Sequence, residues 1–352
     1  MAYTNIDDPS AYFQVTLYTG TGASQSITND GNSDMQPDLW WQINRDLARG
    51  TYVADSSRGV TKYLTTFTTN ADSTVTNYVT SFDSDGFTLG NGDTAVNNNA
   101  QRFVTWNWKA NGGTTSSNTD GSITSTVQAN TTAGFSIVTY TGTGSAGTVG
   151  HGLGATPAMI IQKNRDSSAN WSVRHHKTTN NYDFLNLNLN SAATANDSIW
   201  TQTNPTTSVF SIGTASAINQ SGQDQVCYCF AEKKGYSKFG KYMGNGNTNG
   251  TFVYTGFKPA FVMQKRIDST GSWHILDGTR NSFNETDNYA YADLSYAEYN
   301  GSNDGMDFLS NGFKLSNTYT GLNASGYSSK YIYAAFAENP FVTSTGIPTT
   351  AR

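Results

Sequence analysis

A ten-residue stretch recurs three times, and it constrains the fold more than any other feature of the chain. Each copy has a proline, a short residue, three large apolar residues, a glutamine and a polar run that ends on aspartate. The copies are residues 37–46, 157–166 and 259–268. The apolar triplet is too short for a buried helix and turn residues flank it, so it predicts a buried β-strand. Proline is tolerated at the first residue of a strand.

Two further segments recur around each copy. A strand that alternates apolar and polar residues precedes each proline at a nearly constant distance, and it closes on a glycine: Gly20, Gly142 and Gly244. A second apolar segment follows each proline at a similar distance, and it has a β-branched residue: Val104, Val226 and Ile332. Three segments in a fixed order and at similar spacing predict structural repeats.

The second repeat differs from the other two at one point. Residues 55–59 resemble residues 277–281, since both begin with aspartate and have arginine at the fourth position. The second repeat has Arg174-His175-His176 there instead. The first and third repeats are therefore closer to each other in this segment.

Composition favours an all-β fold. Charged residues make up 13% of the chain, about half the usual share, so solubility must come from Ser, Thr, Asn and Gly. Each repeat has seven or eight short predicted strands with turn signals every 8–12 residues, a pattern typical of a β-sandwich or jelly roll. We therefore predict three tandem, related β-sandwich domains of jelly-roll-like form.

The predicted domains are residues 1–112, 113–234 and 235–342, and a frayed C-terminal tail covers residues 343–352. Each is long enough to bury a core of its own. Residues 112–118, rich in Gly, Ser and Thr, predict a flexible linker between the first two domains.

Charge and hydropathy argue against two classes of partner. The net charge is −5 and no run of Lys or Arg is present, so nucleic-acid binding is not expected. No stretch approaches the roughly 20 apolar residues that a membrane helix needs, so no membrane partner is expected. The N-terminus shows neither region of a secretory signal, and we expect synthesis in a cytosol.

Metal, cofactor and catalytic signals are weak, so we predict a protein without metal or cofactor that is not an enzyme. None of the four histidines has a metal-ligand spacing. Residues 83–86 hint at a calcium loop but lack its third acidic position and its bidentate Glu. Cys227 and Cys229 are expected to be small buried residues. No nucleophile elbow or HExxH motif is present, although the many Asp leave a pair of glycosidase carboxylates open.

Three tryptophans are the candidate carbohydrate-binding residues. Trp171 and Trp273 lie at the same distance after Pro157 and Pro259. Trp41 follows Trp40 on one predicted strand, so one of these two indoles could face outward. An indole face stacks well on a sugar ring, whereas burial in the core is the default expectation for tryptophan.

Several of these segments are similar to repeat proteins encoded by marine tailed bacteriophages. The similarity lies in Asn44-Arg45-Asp46, in Ser57-Arg58-Gly59 and in residues 7–14, 17–20, 81–87 and 134–142. It covers the first two repeats, and the third departs from it with Arg266-Ile267-Asp268. The resemblance implies a concanavalin-like or laminin-G-like sandwich and a component of a virion.

We therefore expect a non-enzymatic structural protein that is displayed on a phage particle as a capsid decoration or a tail or fibre component, and that aids attachment to the host surface. It would be assembled in the host cytoplasm. Its expected partners are other virion proteins and further copies of itself. A carbohydrate-binding receptor-recognition protein, with host-surface glycans as partners, is the first alternative. A glycan depolymerase is the second.

Overall fold

The computed structural model describes residues 2–91, 95–301, 304–326 and 330–349. Strands make up 43% of the structure and helix 3%, so the predicted all-β, sandwich-like fold is confirmed. The strands form antiparallel sheets, one large and one small in each of three successive stretches of the chain. We call these stretches the first, second and third repeats and define them by their strands.

The first repeat begins with a short 3-10 helix, Pro9–Ala11, and its described residues form nine strands. Its large sheet has the order β1-β9-β3-β4-β5-β6, and its small sheet has the order β2-β8-β7. The strands are β1 (Phe13–Thr19), β2 (Gln25–Ile27), β3 (Leu39–Asn44), β4 (Thr51–Asp55), β5 (Lys62–Thr65), β6 (Ser73–Thr74), β7 (Val79–Asp83), β8 (Gly86–Leu89) and β9 (Arg102–Trp108).

The second repeat contains ten strands and one short helix, α1 (Ser216–Asn219). The strands are β10 (Ser116–Asn118), β11 (Ser125–Asn130), β12 (Phe135–Thr141), β13 (Gly147–Gly150), β14 (Met159–Asn164), β15 (Ser172–His175), β16 (Asp183–Asn186), β17 (Thr194–Ala195), β18 (Val209–Ile212) and β19 (Asp224–Phe230). Its large sheet has the order β10-β11-β12-β19-β14-β15-β16-β17, and β13 pairs with β18.

In the third repeat, the part that the structure describes contains nine strands and the helix α2 (Thr320–Asn323). The strands are β20 (Ser237–Met243), β21 (Phe252–Tyr254), β22 (Phe257–Arg266), β23 (Trp273–Asp277), β24 (Asn288–Tyr291), β25 (Tyr299–Asn300), β26 (Met306–Leu309), β27 (Gly312–Leu315) and β28 (Lys330–Pro340). Its large sheet has the order β20-β28-β22-β23-β24-β25, and its small sheet has the order β21-β27-β26.

The three apolar triplets occupy the same place in the three large sheets. The first residue of each triplet pairs with an aromatic residue of the strand that ends the repeat: Leu39 with Trp108, Met159 with Phe230, and Phe261 with Phe336. Strand order is also the same, except that the second repeat adds β10 and β11 at one edge. The repeated sequence therefore corresponds to a repeated structure.

Each triplet is apolar throughout because both faces of each large sheet are buried. The middle residue (Trp40, Ile160 or Val262) packs against the small sheet of its own repeat. The two outer residues point the other way, as alternation along a strand requires. These outer residues all belong to one hydrophobic cluster that includes residues from all three repeats.

The centre of this shared core is a triangle of equivalent aromatic residues. Ring centroids lie 5.5 Å apart for Trp108 and Phe336, 6.2 Å for Trp108 and Phe230, and 5.9 Å for Phe230 and Phe336. Because one member comes from each repeat, the repeats surround an approximate threefold axis. They are not separate sandwiches in a row, and whether each folds alone, with the predicted domain boundaries, stays a prediction.

Backbone hydrogen bonds close the ring of repeats. The acceptor at each interface is the carbonyl of the residue directly before the aspartate that ends the repeated stretch. Asp72 N donates to Arg165 O at 2.7 Å across the first interface, between the first and second repeats. Ala193 N donates to Ile267 O at 3.0 Å across the second interface, between the second and third repeats. Glu298 N donates to Arg45 O at 3.1 Å across the third interface, between the third and first repeats.

The flexible linker predicted for residues 112–118 is wrong. The backbone N–H groups of Gly112 and Gly113 donate to the Asp38 carboxylate at 2.9 and 3.0 Å, and the following residues form β10. Both glycines have positive φ, a conformation that glycine adopts without strain.

The end of the chain is likewise held in place as far as it is described. Ser344 N donates to the Asp7 carboxylate at 2.6 Å, so the predicted tail is tied to the N-terminal segment. Residues 350–352 of that tail lie outside the described residues. In the part of the chain that the structure describes, no helix is long and apolar enough to cross a membrane.

Candidate functional site

The three tryptophans predicted to bind carbohydrate are buried. Trp41, Trp171 and Trp273 are 4%, 1% and 1% exposed. All three belong to the shared core, where Trp41 packs edge-on against Trp106 with ring centroids 6.3 Å apart. None of the three indoles therefore offers the exposed ring face that stacking on a sugar would need.

Trp171 and Trp273 instead join neighbouring repeats. Trp171 Nε1 donates to Thr65 O in the first repeat at 2.9 Å. Trp273 Nε1 donates to Asn186 O in the second repeat at 2.9 Å. Thr65 and Asn186 end the equivalent strands β5 and β16, so the two bonds are the same contact at successive interfaces.

The first interface contains a buried charge network. Arg58 Nε lies 2.5 Å from Asp55 Oδ2, and Arg58 Nη1 lies 2.6 Å from Asp72 Oδ1. Asp72 also accepts from Arg165 Nε of the second repeat at 2.8 Å. The Tyr228 hydroxyl, also from the second repeat, donates to Asp55 Oδ2 at 2.7 Å. Burial raises the pKa of Tyr228 well above its ordinary value, so the phenol remains a donor.

The third interface contains the equivalent network. Arg280 Nε lies 2.6 Å from Asp277 Oδ2, and Arg280 Nη1 lies 3.1 Å from Glu298 Oε2. Glu298 accepts two bonds from Arg45 of the first repeat, each of 2.9 Å. Trp106 Nε1 donates to Asp277 Oδ2 at 3.0 Å in the place of the Tyr228 hydroxyl.

The second interface lacks this network completely. Each of the five positions has another residue type: His175 for the aspartate, Thr178 for its arginine, Ala193 for the second carboxylate, Ile267 for the arginine across the interface, and Ala334 for the aromatic donor. Removing one member of a buried ion pair leaves an uncompensated charge, whereas replacing the whole set does not. His175 occupies the aspartate position at the second interface, and its Nε2 lies 3.2 Å from Tyr333 O of the third repeat.

The other titratable groups that drew attention in the sequence are structural. Burial lowers the pKa of His175 and of His274 to about 3, so both rings are neutral near pH 7. Cys227 and Cys229 are buried, and burial raises the pKa of each thiol. No group of three or more His, Cys, Asp or Glu residues that could hold a metal ion occurs among the described residues.

The segment that hinted at a calcium loop is the turn between β7 and β8. Asp83 accepts hydrogen bonds from Ser81 Oγ and Thr88 Oγ1, each of 2.7 Å. Asp85 accepts from Met35 N at 3.2 Å. These carboxylates therefore bond to the protein's own donors.

Exposed aromatic side chains gather instead in the third repeat, in what we call the tyrosine cluster. It consists of Tyr289, Tyr291, Tyr296, Tyr299 and Tyr319. Tyr296 and Tyr299 are 61% and 45% exposed, while Tyr289 is buried beneath them. Ring centroids of Tyr289 and Tyr299 are 4.8 Å apart, and those of Tyr291 and Tyr296 are 6.1 Å apart. Packing against one another fixes the orientation of these rings.

The tyrosine cluster was missed in the sequence, although a signal was present. Four tyrosines occur within residues 289–299. They lie on β24, on β25 and in the connection between these strands, which brings their rings together. The buried His274 ring lies against Tyr291, with centroids 5.0 Å apart, and supports the cluster from below.

Fold and interfaces together define an all-β protein in which three sandwich-like repeats surround one core. Residues 8–340 match the family described as a domain of unknown function, DUF7483. This match spans all three repeats, and the chain therefore belongs to that family. No curated protein matches the chain. No solved structure matches it either.

Proposed function

We propose that this chain is a non-catalytic structural protein of a bacteriophage, displayed on the particle surface as a capsid decoration or as a tail or fibre component. The closed ring of three interfaces is the main structural support. A ring that buries its own aromatic core and bonds its repeats through the backbone is a rigid body, as a displayed component requires. The similarity of the first two repeats to repeat proteins of marine tailed phages supports the same assignment.

The positions of the charged groups support the non-catalytic part of the proposal. Asp55 and Asp277 are fully buried and bonded to Arg58 and Arg280, so neither carboxylate is accessible to a substrate. The neutral His175 ring is enclosed at the second interface. These groups hold repeats together.

The test is to locate the protein on purified particles of a phage that encodes it. An antibody to the protein, carrying gold, should label intact particles at regular positions in electron micrographs. Mass spectrometry of gradient-purified particles should recover the chain in a constant ratio to the major capsid protein. A protein that stays wholly in the particle-free fraction of the lysate would refute the proposal.

A carbohydrate-binding role is the second candidate, and the exposed half of the tyrosine cluster favours it. Tyr296 and Tyr299 are 61% and 45% exposed, so both rings present aromatic surface to solvent. A phenol ring offers a face that can stack on a sugar ring and a hydroxyl that can hydrogen-bond to a sugar hydroxyl group.

A glycan array tests this second candidate. Tyr296→Ala and Tyr299→Ala should each abolish saturable binding, while the control Phe283→Ala, which removes an exposed ring outside the cluster, should leave it unchanged. Binding that survives both tyrosine substitutions would exclude the cluster as the site. Release of reducing sugar from a bound polysaccharide would favour the depolymerase alternative.

A further inference from the structure

The approximate threefold axis creates three equivalent clefts, one beside each interface. Each lies between the first long strand of one large sheet and the residue that follows the repeated proline in the neighbouring repeat. The first cleft is filled by the chain itself. Gly112 and Gly113 donate to Asp38 there, and Gln128 Nε2 donates to Ser56 Oγ and Ser57 Oγ at 3.0 and 2.7 Å.

The second cleft is open and has a volume of about 540 Å³. His176 and Lys177 occupy the positions of Ser56 and Ser57, and Lys238 enters from β20 of the third repeat. Arg174, which is 6% exposed, is the most deeply buried cation of the lining. The second cleft therefore replaces the neutral filling of the first with cationic side chains.

Arg174 has no carboxylate to balance its charge. Its residue is 6% exposed, and its guanidinium donates to Asn181 O and, at 3.0 Å, to Asn204 Oδ1. No ion pair within 4 Å joins it to any residue that the structure describes. Burial lowers its pKa to about 10, so the group is still protonated near pH 7. A guanidinium has five N–H donors, and these contacts leave some of them for a ligand.

The remaining groups that face the cleft leave it positive. Glu232 is the one carboxylate among its lining residues, and its Oε1 already pairs with Lys238 Nζ at 2.6 Å. His176 Nε2 lies 2.7 Å from Phe239 O, and burial lowers the pKa of this ring, so it is neutral and bonded to the backbone. Arg174, Lys177 and Lys238 thus outweigh a single carboxylate.

Comparison with the third cleft shows that the positive charge is particular to the second. The third cleft is about 130 Å³ and is lined by Asp30 and Glu338, with Gln14 in the place of Lys238. Arg174 is replaced at the equivalent positions by Ala54 and Leu276, which are apolar and buried. Three cationic side chains therefore line one of three equivalent clefts in a protein whose net charge is −5.

We propose that the second cleft binds a sulfate or phosphate group, free or as an ester on a larger ligand. Arg174, the most buried of the three cations, contacts the oxyanion together with Lys177 and Lys238. A buried guanidinium without a counter-ion is costly, and an oxyanion supplies both the opposite charge and acceptors for its planar donors. This inference is independent of the proposed virion role.

The test is titration calorimetry of the full chain with sodium sulfate and sodium phosphate at constant ionic strength, with sodium chloride as the blank. We expect saturable binding that Lys177→Gln weakens roughly tenfold, as loss of one charged hydrogen bond would do. Lys177 is exposed, so this variant should fold. Arg174→Gln should abolish binding in a protein whose circular dichroism is unchanged.

Lys241→Gln is the matched control, because Lys241 lies on the same strand as Lys238 but is exposed outside the cleft. It should bind as the unaltered protein does. Heat from sulfate or phosphate that does not saturate, or equal affinity in Lys177→Gln and Lys241→Gln, would overturn the proposal. A sulfated and a phosphorylated monosaccharide form the remaining arms: tighter binding of an ester than of its free ion identifies an ester as the ligand, and equal binding identifies the free ion.

Discussion

Replacing Asp277 by asparagine should destabilise the protein severely, because this side chain is the centre of the third interface. One oxygen, Oδ2, accepts from Arg280 Nε at 2.6 Å and from Trp106 Nε1 at 3.0 Å. The other, Oδ1, accepts from Arg280 N at 2.9 Å and from Thr279 N at 3.2 Å. Asparagine has the same shape but only one acceptor oxygen, so its amide group would face two N–H donors.

The expected cost follows from what remains buried. The side chains of Asp277 and Arg280 are both fully buried, so water cannot solvate the positive charge of Arg280 once its carboxylate partner is removed. Breaking such a pair costs roughly 3–5 kcal/mol of unfolding free energy. Glu298, 3.1 Å from the same guanidinium, compensates part of the charge and places the expected value near the lower end of that range.

Urea denaturation followed by tryptophan fluorescence and by circular dichroism measures this cost. Asp120→Asn is the control, because Asp120 is exposed, and it should change the unfolding free energy by less than about 0.5 kcal/mol. The double variant Asp277→Asn with Arg280→Gln should be more stable than the sum of the two single costs predicts, by roughly 0.5–3 kcal/mol.

The reasoning would be refuted by either of two results. A cost below about 1 kcal/mol for Asp277→Asn would mean that the pair contributes no more than an exposed salt bridge. Additive costs in the double variant would mean that Asp277 and Arg280 act independently, contrary to the contact between them.

Three further variants probe the shared core and the buried lysines by the same denaturation assay. Trp273→Phe replaces the indole by a smaller phenyl ring and leaves Asn186 O without its donor, and should cost about 1–3 kcal/mol; no loss would exclude a contribution from this bond. Phe336→Ala removes one corner of the aromatic triangle and should cost about 3–5 kcal/mol; a cost under about 1 kcal/mol would argue against a tightly packed axis. Burial lowers the pKa of Lys163 and of Lys265 from 10.5 to about 8. Between pH 8 and 10.5 these two side chains are therefore protonated in the unfolded chain but increasingly neutral in the folded protein. The stability of the unaltered protein should therefore rise with pH from 8 to 10 relative to the variant with methionine at both positions, and a constant difference would contradict this.

The strands and their threefold recurrence were predictable because they depend on local pattern. The triplets that begin at Leu39, Met159 and Phe261 have the apolar character of a strand buried on both faces, and the spacing of their neighbours established the repeat. What covers the second face is not a local property. It is the equivalent sheets of the other two repeats, and nothing in a single triplet specifies that partner.

The candidate sites were harder to predict for the same reason. The position of Trp171 after the repeated proline made it a candidate for sugar binding. In the structure its indole instead donates to the carbonyl of Thr65 in a different repeat. The glycines at 112 and 113 suggested flexibility, yet the carboxylate that holds them belongs to Asp38, far earlier in the chain. Burial and bonding at these positions depend on long-range contacts that composition and spacing do not encode.

The sequence distinguishes the second repeat from the other two by Arg174-His175-His176, without indicating what this difference does. In the structure it marks the second interface, where the whole charge network is absent. Because a buried network is costly to break one residue at a time, its five positions are expected to be kept or lost together. The open cleft in which Arg174 has no carboxylate partner lies beside the same interface. The interface without internal ion pairs is therefore also the one whose cationic side chains can bind an external anion. Divergence of one repeat within a closed ring thus leaves the charge network at the first and third interfaces and makes the second interface available for binding.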